Sequence, residues 1–154
     1  MFKLLVYDFD GVMTNNKVYV DQEGKEIVQV SRADGLAVSM IKKLNINQMI
    51  LSSEKNIVVL KRANKLKIDC LFGVENKKNV LKEYISDKMI KLDEVGYVGN
   101  DINDLDVMKI VGFRFCPQDA HYSIKNIADI IFTSTGGNGV IRELYDFIKE
   151  SKEK

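Results

Sequence analysis

Four short segments of this 154-residue chain carry the side chains that could do chemistry. Each segment follows a short apolar run, so the polar residues mark the points where buried elements are expected to end. The first supplies two carboxylates, the second two hydroxyls, the third an ammonium group, and the fourth an amide with two more carboxylates. In chain order the residues are Asp8 and Asp10, Ser52 and Ser53, Lys77, and Asn100, Asp101 and Asp104.

Phosphoryl transfer is the chemistry that uses this set of groups. A carboxylate can attack phosphorus and become an aspartyl phosphate, which divides one difficult step into two easier ones. Mg²⁺ held by oxygen ligands neutralises the dianionic phosphoryl group, which would otherwise repel the nucleophile. A lysine and a serine hydroxyl bind the other phosphate oxygens as charge spreads in the transition state. A second acid, two residues from the first, can protonate the leaving alcohol and then activate water.

The elements that must position these groups follow from the alternation of short apolar runs with amphipathic segments. This alternation predicts an α/β fold, a Rossmann-like parallel sheet with helices on both faces. Strands are expected over residues 3–9, 47–53, 69–72, 95–99, 113–116 and 128–133, and helices over 36–44, 55–66, 77–86, 104–110 and 140–148. A β-hairpin is expected over 17–30, where "KVYV" and "KEIVQV" flank "DQEG". Ligands bind beyond the carboxyl ends of such strands, so the four polar segments are expected to meet at one edge.

Composition excludes several classes of partner. The 23 basic and 22 acidic side chains leave a net charge of about +1, which gives no field for nucleic acid or an anionic membrane. No apolar run approaches the roughly 20 residues of a membrane span, and two aspartates interrupt "MFKLLVYDFD" too early for a signal peptide. We therefore expect one soluble, cytoplasmic domain over residues 1–154.

The four segments resemble the motifs of the haloacid dehalogenase (HAD) superfamily of phosphatases. "DFDGVMT" matches the first motif, D-x-D-G-x-x-T, and "ILSS" matches the apolar strand that ends in Ser or Thr. Lys77 matches the lysine of the third motif, and "GNDIND" matches the acidic fourth motif. Other stretches, among them "SRADG" and "GGNGVIREL", resemble the small branch of this superfamily that has no cap domain. The likeness extends over roughly residues 3–147.

This resemblance implies catalytic and phosphate-binding roles. Asp8 is the expected nucleophile, which would carry the aspartyl phosphate, and Asp10 is the expected general acid and base. Ser52 and Lys77 are expected to bind the phosphate group, with Ser53 beside them.

The resemblance also implies a metal site. Mg²⁺ is expected to take the Asp8 carboxylate, the Asp10 backbone carbonyl and the side chain of Asn100, a position at which the superfamily usually has aspartate. An amide oxygen still suits Mg²⁺ but brings no charge. Asp101 and Asp104 are expected close behind these ligands, where they could hold the lysine or orient metal-bound water.

The expected substrate is a sugar-acid phosphate. Members of the capless branch hydrolyse 3-deoxy-D-manno-octulosonate (KDO) 8-phosphate or nine-carbon 9-phosphates of the sialic-acid type, including 2-keto-3-deoxy-nonulosonate (KDN). Arg32 matches an arginine that meets the sugar acid's carboxylate. Glu54 and Lys65 match residues of the sialic-type group, whereas octulosonate enzymes typically have arginine at the position of Glu54. The sequence therefore favours a KDN or acylneuraminate 9-phosphate, with the octulosonate 8-phosphate as the alternative.

The resemblance implies a homotetramer, in which the hairpins assemble centrally and a neighbouring subunit helps to cover the active site. Only 41 residues lie between Asp10 and Ser52, and the hairpin and one helix use most of them. No room remains for a separate lid, and an open site excludes water poorly. A second copy is therefore a suitable cover.

Two other functions use similar residues. A weakly active or inactive phosphatase-like domain could serve assembly or regulation with an acylneuraminate cytidylyltransferase, and Asn100 and the "SSE" sequence favour that reading. A phospho-accepting receiver module also uses acids, a hydroxyl and a lysine. Its phosphorylated aspartate follows a middle strand, and "CLFGVEN" has no such aspartate.

Overall fold

Alternating strands and helices make up the computed structural model, which describes residues 2–153. In chain order the strands are β1 (Leu4–Tyr7), β2 (Tyr19–Val20), β3 (Glu26–Ile27), β4 (Asn47–Leu51), β5 (Asp69–Leu71), β6 (Val95–Val98), β7 (Phe113–Cys116) and β8 (Ile130–Ile131). The helices are α1 (Arg32–Lys42), α2 (Val58–Leu66), α3 (Lys77–Asp87), α4 (Leu105–Met108), α5 (Tyr122–Lys125) and α6 (Val140–Glu153). Single turns of 3₁₀ helix at Leu92–Glu94 and Ile102–Asp104 precede β6 and α4.

Six of the strands form one parallel sheet in the order β5–β4–β1–β6–β7–β8. The chain leaves β1 toward β4 and β5 on one side, and it returns to β6 on the other side. Strand order therefore reverses beside β1, and the loops after β1 and β6 diverge to leave a crevice. Strands β2 and β3 form a separate antiparallel pair. The predicted α/β fold with a parallel sheet and a hairpin is confirmed.

Successive residues of β1 point to opposite faces of the sheet, and all four are buried. Leu5 and Tyr7 pack with α1, α2 and α6 on one face. Leu4 and Val6 pack with α3, α4 and α5 on the other. Because both faces are covered, the strand reads as a continuous apolar run, as a central parallel strand must. This packing fixes the end of β1, from which Asp8 follows directly.

The hairpin carries an exposed apolar surface. Gly24 makes its turn with a φ of +79°, and only two residues of each strand are paired. The ladder is shorter than the predicted 17–30 because Val28 and Val30 pack against the core of the domain, and Val30 pairs with Thr14. Tyr19, Val20 and Ile27 are exposed by 77%, 62% and 63%. Tyr19 and Ile27 are paired across the ladder and so lie on the same face of the hairpin, whereas Val20 lies on the other face.

Helix α1 begins at Arg32, four residues before the predicted start at residue 36. The Ser31 hydroxyl accepts the Asp34 N–H at 3.3 Å and so caps the helix. Gly35 in the first turn hid this start, because glycine is a poor helix former. The Asp34 carboxylate in turn accepts the N–H groups at 141 and 142, at 3.0 and 3.1 Å, and so ties α1 to the start of α6.

Other differences lie at the ends of elements. The helix predicted over 104–110 is a 3₁₀ turn followed by the short α4, and the strand predicted over 128–133 has two paired residues because β8 lies at the edge of the sheet. Helix α5 was not predicted, and α6 extends beyond residue 148. Across residues 2–153, none of the helices combines the length and the apolar character needed to cross a membrane.

Candidate active site

A polar cavity of about 220 Å³ opens at the carboxyl ends of β1, β4 and β6. Three of the four polar segments contribute to its walls, and the fourth, at Lys77, lies directly against Asp8. The parallel sheet thus brings residues from distant parts of the chain to one edge. The lining residues are Asp8, Asp10, Asn16, Ser52, Ser53, Glu54, Asn100, Asp101 and Asn103.

Lys77 is the buried cation of this site. Asn76 caps α3 by accepting the Asn79 N–H, so Lys77 is the first helical residue and its side chain enters the crevice. Its Nζ lies 3.0 Å from Asp8 Oδ1 and 2.8 Å from an oxygen of Asp104, and the residue is only 3% exposed. Lys77 and Lys78 are adjacent in the sequence, and Lys77 is the one that lies between the Asp8 and Asp104 carboxylates.

The Asp104 carboxylate positions Lys77 and the backbone of the fourth motif through hydrogen bonds. It is fully buried, and its Oδ1 accepts hydrogen bonds from Lys77 Nζ and from the Tyr97 hydroxyl at 2.7 Å. Its Oδ2 accepts the Asn100 N–H at 2.9 Å and the Asp101 N–H at 3.3 Å. One carboxylate therefore fixes both the lysine and the backbone of the fourth motif. Sequence reasoning missed Tyr97, because a tyrosine in an apolar strand has no signal that separates it from the core.

The charges in the cluster do not balance. Burial and the Asp104 carboxylate raise the pKa of Asp8 well above its usual value, although Lys77 acts in the opposite direction. Burial alone would lower the pKa of Lys77, but Asp8 and Asp104 raise it, so the ammonium stays charged. One lysine thus faces two carboxylates. A further positive charge beside Asp8 is needed to favour its ionised, nucleophilic form, and a bound divalent cation supplies such a charge.

Asp10 has the surroundings of a proton donor. Burial raises its pKa, and the neighbouring Glu54 carboxylate raises it further. The side chain is only partly buried and lines the cavity, where the oxygen of a leaving alcohol can reach it. The Thr14 hydroxyl lies 3.5 Å from Asp10 Oδ1 and accepts the Gly11 N–H at 3.3 Å, so it steadies the loop that carries the acid.

The loop that carries Asp8 and Asp10 is closely packed at its glycine, Gly11, and against the backbone of Gly136 and Gly137. Gly11 has a φ of +83°, and a Cβ there would overlap the Asn100 carboxamide. A Cβ on Gly136 would lie 2.2 Å from the Gly11 carbonyl oxygen, and the Gly137 N–H donates to the Val12 carbonyl at 2.9 Å. The turn "GGNG" before α6 therefore supports the loop after β1, and its glycines permit the close approach.

The two serines follow β4 at the opposite wall. Ser52 is buried, and its hydroxyl accepts the Glu54 N–H at 3.1 Å, which shapes the turn. Ser53 is partly exposed, and its hydroxyl lies 3.5 Å from the Asn103 amide nitrogen. Both hydroxyls belong to the same cavity as Asp8. Their role in binding phosphate stays a prediction.

The expected metal ligands converge in the structure. A terminal atom of the Asn100 carboxamide lies 2.9 Å from the Asp10 carbonyl oxygen and 3.1 Å from Asp8 Oδ2. A carboxylate, a backbone carbonyl and an amide are hard oxygen donors of the kind that Mg²⁺ accepts, so the donor set fits this ion. Nowhere in the described part of the chain do three His, Cys, Asp or Glu side chains form a metal-binding group, which separates this site from an all-acid cluster.

Two of the predicted substrate residues lie elsewhere on the chain. Arg32 and Lys65 line a groove between α1 and α2 together with Arg62 and Lys67. All four are cationic, and neither Arg32 nor Lys65 contributes to the cavity at Asp8. Of the three residues predicted to bind substrate, only Glu54 lines that cavity. Asn16 and Asn103 also line it and were not predicted. Asn16 lies just after the first motif, and Asn103 lies within the fourth motif at a position to which the resemblance assigns no role.

Comparisons with known proteins agree with this geometry. Residues 41–144 match the family model of the haloacid dehalogenase-like hydrolases. The chain is 31% identical over 147 residues to 3-deoxy-D-manno-octulosonate 8-phosphate phosphatase KdsC of Salmonella typhi, covering 95% of this chain and 78% of that protein. A HAD family hydrolase from Streptomyces avermitilis MA-4680 superposes with a TM-score of 0.93 at 39% identity, covering 95% and 84% of the two chains. The octulosonate 8-phosphate phosphatase of Moraxella catarrhalis, solved with a magnesium ion, a phosphate ion and KDO, gives 0.92 at 28% identity, covering 97% and 86%.

A carboxylate and a buried lysine at the switch point of a parallel sheet are the arrangement of a phosphate-transferring enzyme. The chain belongs to the haloacid dehalogenase-like hydrolase family. It is a HAD-type phosphoric monoester hydrolase similar to the octulosonate 8-phosphate phosphatases, which confirms the predicted class of enzyme. The roles of individual residues stay predictions.

We expect Lys77→Met to lower the free energy of unfolding by about 3–5 kcal/mol, because it leaves two carboxylates buried without a cation. Urea unfolding followed by circular dichroism measures the change. The matched control is Lys78→Met, which removes a partly exposed lysine and is expected to change stability by less than about 0.5 kcal/mol. Equal effects of the two substitutions would show that the buried ion pair does not stabilise the fold.

Proposed function

We propose that this protein is an Mg²⁺-dependent phosphatase that hydrolyses the phosphate ester of a 2-keto-3-deoxy sugar acid through an aspartyl phosphate on Asp8. The observation that carries the proposal is the contact of Asp8 with Lys77, at the wall of a cavity that also presents Asp10 and two serine hydroxyls. The KDO, magnesium and phosphate in the Moraxella catarrhalis relative support the choice of substrate class and metal.

The first step forms a bond between a carboxylate oxygen of Asp8 and phosphorus and breaks the bond from phosphorus to the ester oxygen. Asp10 gives its proton to that oxygen, which leaves as the alcohol of the sugar. In the second step Asp10 takes a proton from water as the water oxygen bonds to phosphorus. The bond from phosphorus to Asp8 breaks, which releases inorganic phosphate and restores both side chains.

The remaining groups hold the phosphoryl oxygens. Lys77, with the hydroxyls of Ser52 and Ser53, faces the charge that spreads over these oxygens in the transition state. Asp8, the Asp10 carbonyl and Asn100 would hold Mg²⁺, which neutralises the phosphoryl group when bound. Asp104 keeps Lys77 in place and Asp101 caps the turn after Asn100.

The sugar is expected to occupy a second cavity of about 250 Å³ that adjoins the first at Asp10, Asn16 and Glu54. Three valines, Glu26 and Asn56 complete its walls, between the hairpin and α2. Glu54 accepts hydrogen bonds there and suits sugar hydroxyls. On this residue, and on the likeness of position 54 to the sialic-type group, we assign a nine-carbon KDN or acylneuraminate 9-phosphate as the substrate.

The second candidate is KDO 8-phosphate. Relatives such as the Salmonella typhi protein carry that activity in their names and match nearly the whole chain. Both substrates present a phosphate ester at one end and a carboxylate at the other. They differ in the length and substituents of the sugar, which lies near position 54 in this arrangement.

The carboxylate of either sugar acid is expected to meet a cation, and no described residue that lines the two cavities at Asp10 is a lysine or an arginine. Among the described residues, both cavities are lined by acids and neutral groups, and Lys77, which contacts Asp8, is paired with two carboxylates. The groove at Arg32 and Lys65 has the required charge. We assign this groove to the substrate of a neighbouring copy within a homotetramer, in which the exposed apolar hairpins pack together. The cytoplasmic location and the single domain stay predictions of the sequence.

Hydrolysis is expected to require both Mg²⁺ and Asp8. Release of phosphate from KDN 9-phosphate should stop in EDTA and return with Mg²⁺, and Asp8→Asn should lower kcat at least about a thousandfold because the amide cannot accept phosphorus. Asp106→Asn, on the exposed side of α4, is the control. If the parent hydrolyses no sugar-acid phosphate with Mg²⁺, the proposed function is wrong, and the assembly or regulatory role is the alternative that remains to be tested.

Glu54→Arg is expected to shift the ratio of kcat/KM for nine-carbon over eight-carbon substrates by about tenfold or more toward KDO 8-phosphate, which corresponds to ~1.4 kcal/mol. The reason is that arginine removes an acceptor for sugar hydroxyls and introduces a cation beside Asp10. Parallel kinetics with both substrates measure the ratio, with Glu83→Arg on the surface of α3 as the charge-matched control. An unchanged ratio would remove position 54 from the specificity argument.

The shared site is tested by mixing two variants that are each inactive. Arg32→Glu/Lys65→Glu cannot bind the carboxylate, and Asp8→Asn cannot form the aspartyl phosphate. If each site takes Asp8 from one copy and Arg32 from another, co-refolding equal amounts should restore about a quarter of the parental activity by random pairing. Light scattering should give the mass of four chains. Monomeric mass, or no recovery in mixed assemblies, would place Arg32 and Lys65 outside a shared site.

A further inference from the structure

The backbone of Asn100 is fixed on both sides, so only its side chain is free to respond to a ligand. Its N–H donates to Asp104 Oδ2 at 2.9 Å, and its carbonyl accepts the His121 N–H at 2.8 Å. The residue is 7% exposed, although it lines the cavity. Any adjustment at this position is therefore a rotation of the carboxamide and leaves the chain in place.

The inner end of this carboxamide faces acceptors only. The atom there lies 2.9 Å from the Asp10 carbonyl oxygen and 3.1 Å from Asp8 Oδ2. An oxygen at that point would face two acceptors, whereas the nitrogen carries two N–H groups and donates to both. Protonation of Asp8 would satisfy an oxygen on one side only, because the Asp10 carbonyl has no proton to give. In the protein without metal, the amide nitrogen is thus the atom that faces inward.

The outer end of the carboxamide has room because residue 11 is glycine. The Cβ of any other residue would lie 1.9 Å from the amide's outer terminal atom. The amide is planar and its nitrogen and oxygen are nearly equal in size, so a half-turn about the last torsion exchanges them without moving a neighbour. The space left by Gly11 therefore admits both orientations, which differ in whether the nitrogen or the oxygen faces Asp8 Oδ2 and the Asp10 carbonyl.

We propose that Asn100 is a two-state residue whose N–H groups occupy the place of the metal in the metal-free protein, and whose carboxamide turns over to present oxygen when Mg²⁺ binds. The inference rests on the proposed metal site and extends it. In the metal-free state the two N–H groups satisfy Asp8 and the Asp10 carbonyl, which a divalent cation otherwise satisfies. Metal binding must then break both hydrogen bonds. Asparagine at position 100 therefore differs from aspartate in two ways, because it brings no negative charge to the metal and because its hydrogen bonds compete with metal binding.

This arrangement predicts opposite effects of Asn100→Asp with and without metal. Without metal, the new carboxylate oxygen faces Asp8 Oδ2 and the Asp10 carbonyl with no donor between them. With metal, the same oxygen is a charged ligand that needs no rotation. A residue that only ligates the metal would show the second effect without the first.

Thermal unfolding of the full chain in EDTA and across a MgCl₂ titration tests the prediction. Asn100→Asp should lower the midpoint in EDTA by about 3 °C or more. It should tighten the apparent Mg²⁺ dissociation constant by about tenfold, since ligand charge sets affinity at such sites. Asn103→Asp adds the same charge to the wall of the same cavity at an exposed position, and it should show neither effect.

Nuclear magnetic resonance of ¹⁵N-labelled protein gives the second readout. The side-chain NH₂ signal of Asn100, assigned by its loss in Asn100→Asp, should exchange with water far more slowly in EDTA than that of Asn103. Addition of MgCl₂ should speed this exchange and shift the signal, because the N–H groups lose their acceptors.

The outcomes separate this inference from the proposed function. Suppose that the parent binds Mg²⁺ normally. The rotation of the Asn100 carboxamide is then contradicted if its NH₂ group exchanges in EDTA as fast as that of Asn103, or if Asn100→Asp is as stable as the parent in EDTA, and the proposed metal dependence stands. If Mg²⁺ changes the unfolding midpoint of neither the parent nor Asn100→Asp, although the Asn100 NH₂ group is protected from exchange, the proposed metal dependence is wrong. The proposed rotation of the carboxamide on metal binding is then wrong as well.

Discussion

The buried ion cluster of Lys77, Asp8 and Asp104 is the constraint on which the site depends. Moving a charged lysine out of water is unfavourable unless carboxylates meet it closely, and here both lie within 3.0 Å. The sheet satisfies this demand only where β1 and β6 end side by side and α3 begins beside them. The same contacts that stabilise the buried lysine hold Asp8, the predicted nucleophile, at the wall of the cavity. Under the proposed function, the atoms that stabilise the fold are therefore also the atoms that act in catalysis.

The sequence predicted the parts of the molecule that local pattern determines. The order of strands and helices follows from apolar runs and their spacing, and the polar residues at the strand ends follow from the rule that parallel sheets bind ligands there. The ends of elements depend on competing local preferences. Ser31 favours a helix start at Arg32, whereas Gly35 disfavours helix in the first turn of α1. Short elements such as α5 are held by tertiary contacts, which no local pattern records.

The site shows the same division between local and distant information. Asp8, Asp10 and the residues around Ser52 and Asn100 stand in motifs with fixed spacing, and they line one cavity. The Tyr97 hydroxyl donates a hydrogen bond to Asp104, and so Tyr97 also belongs to the site. In the sequence, a tyrosine within an apolar strand cannot be distinguished from an ordinary core residue. Arg32 and Lys65 are predicted to bind the substrate, and within one chain they line a groove separate from the cavity at Asp8. Whether two such surfaces meet is a property of an assembly, which a single sequence does not encode locally.

The close contact between the glycine turn before α6 and the loop after β1 also has a consequence for synthesis. Gly137 donates to Val12, and Asp34 accepts from the start of α6, so the last quarter of the chain buttresses the first. A nascent chain that already contains every acid and the lysine still lacks this support until residue 137 has left the ribosome. The order of translation thus separates the synthesis of the predicted catalytic residues from the contacts that support the loop on which Asp8 and Asp10 stand.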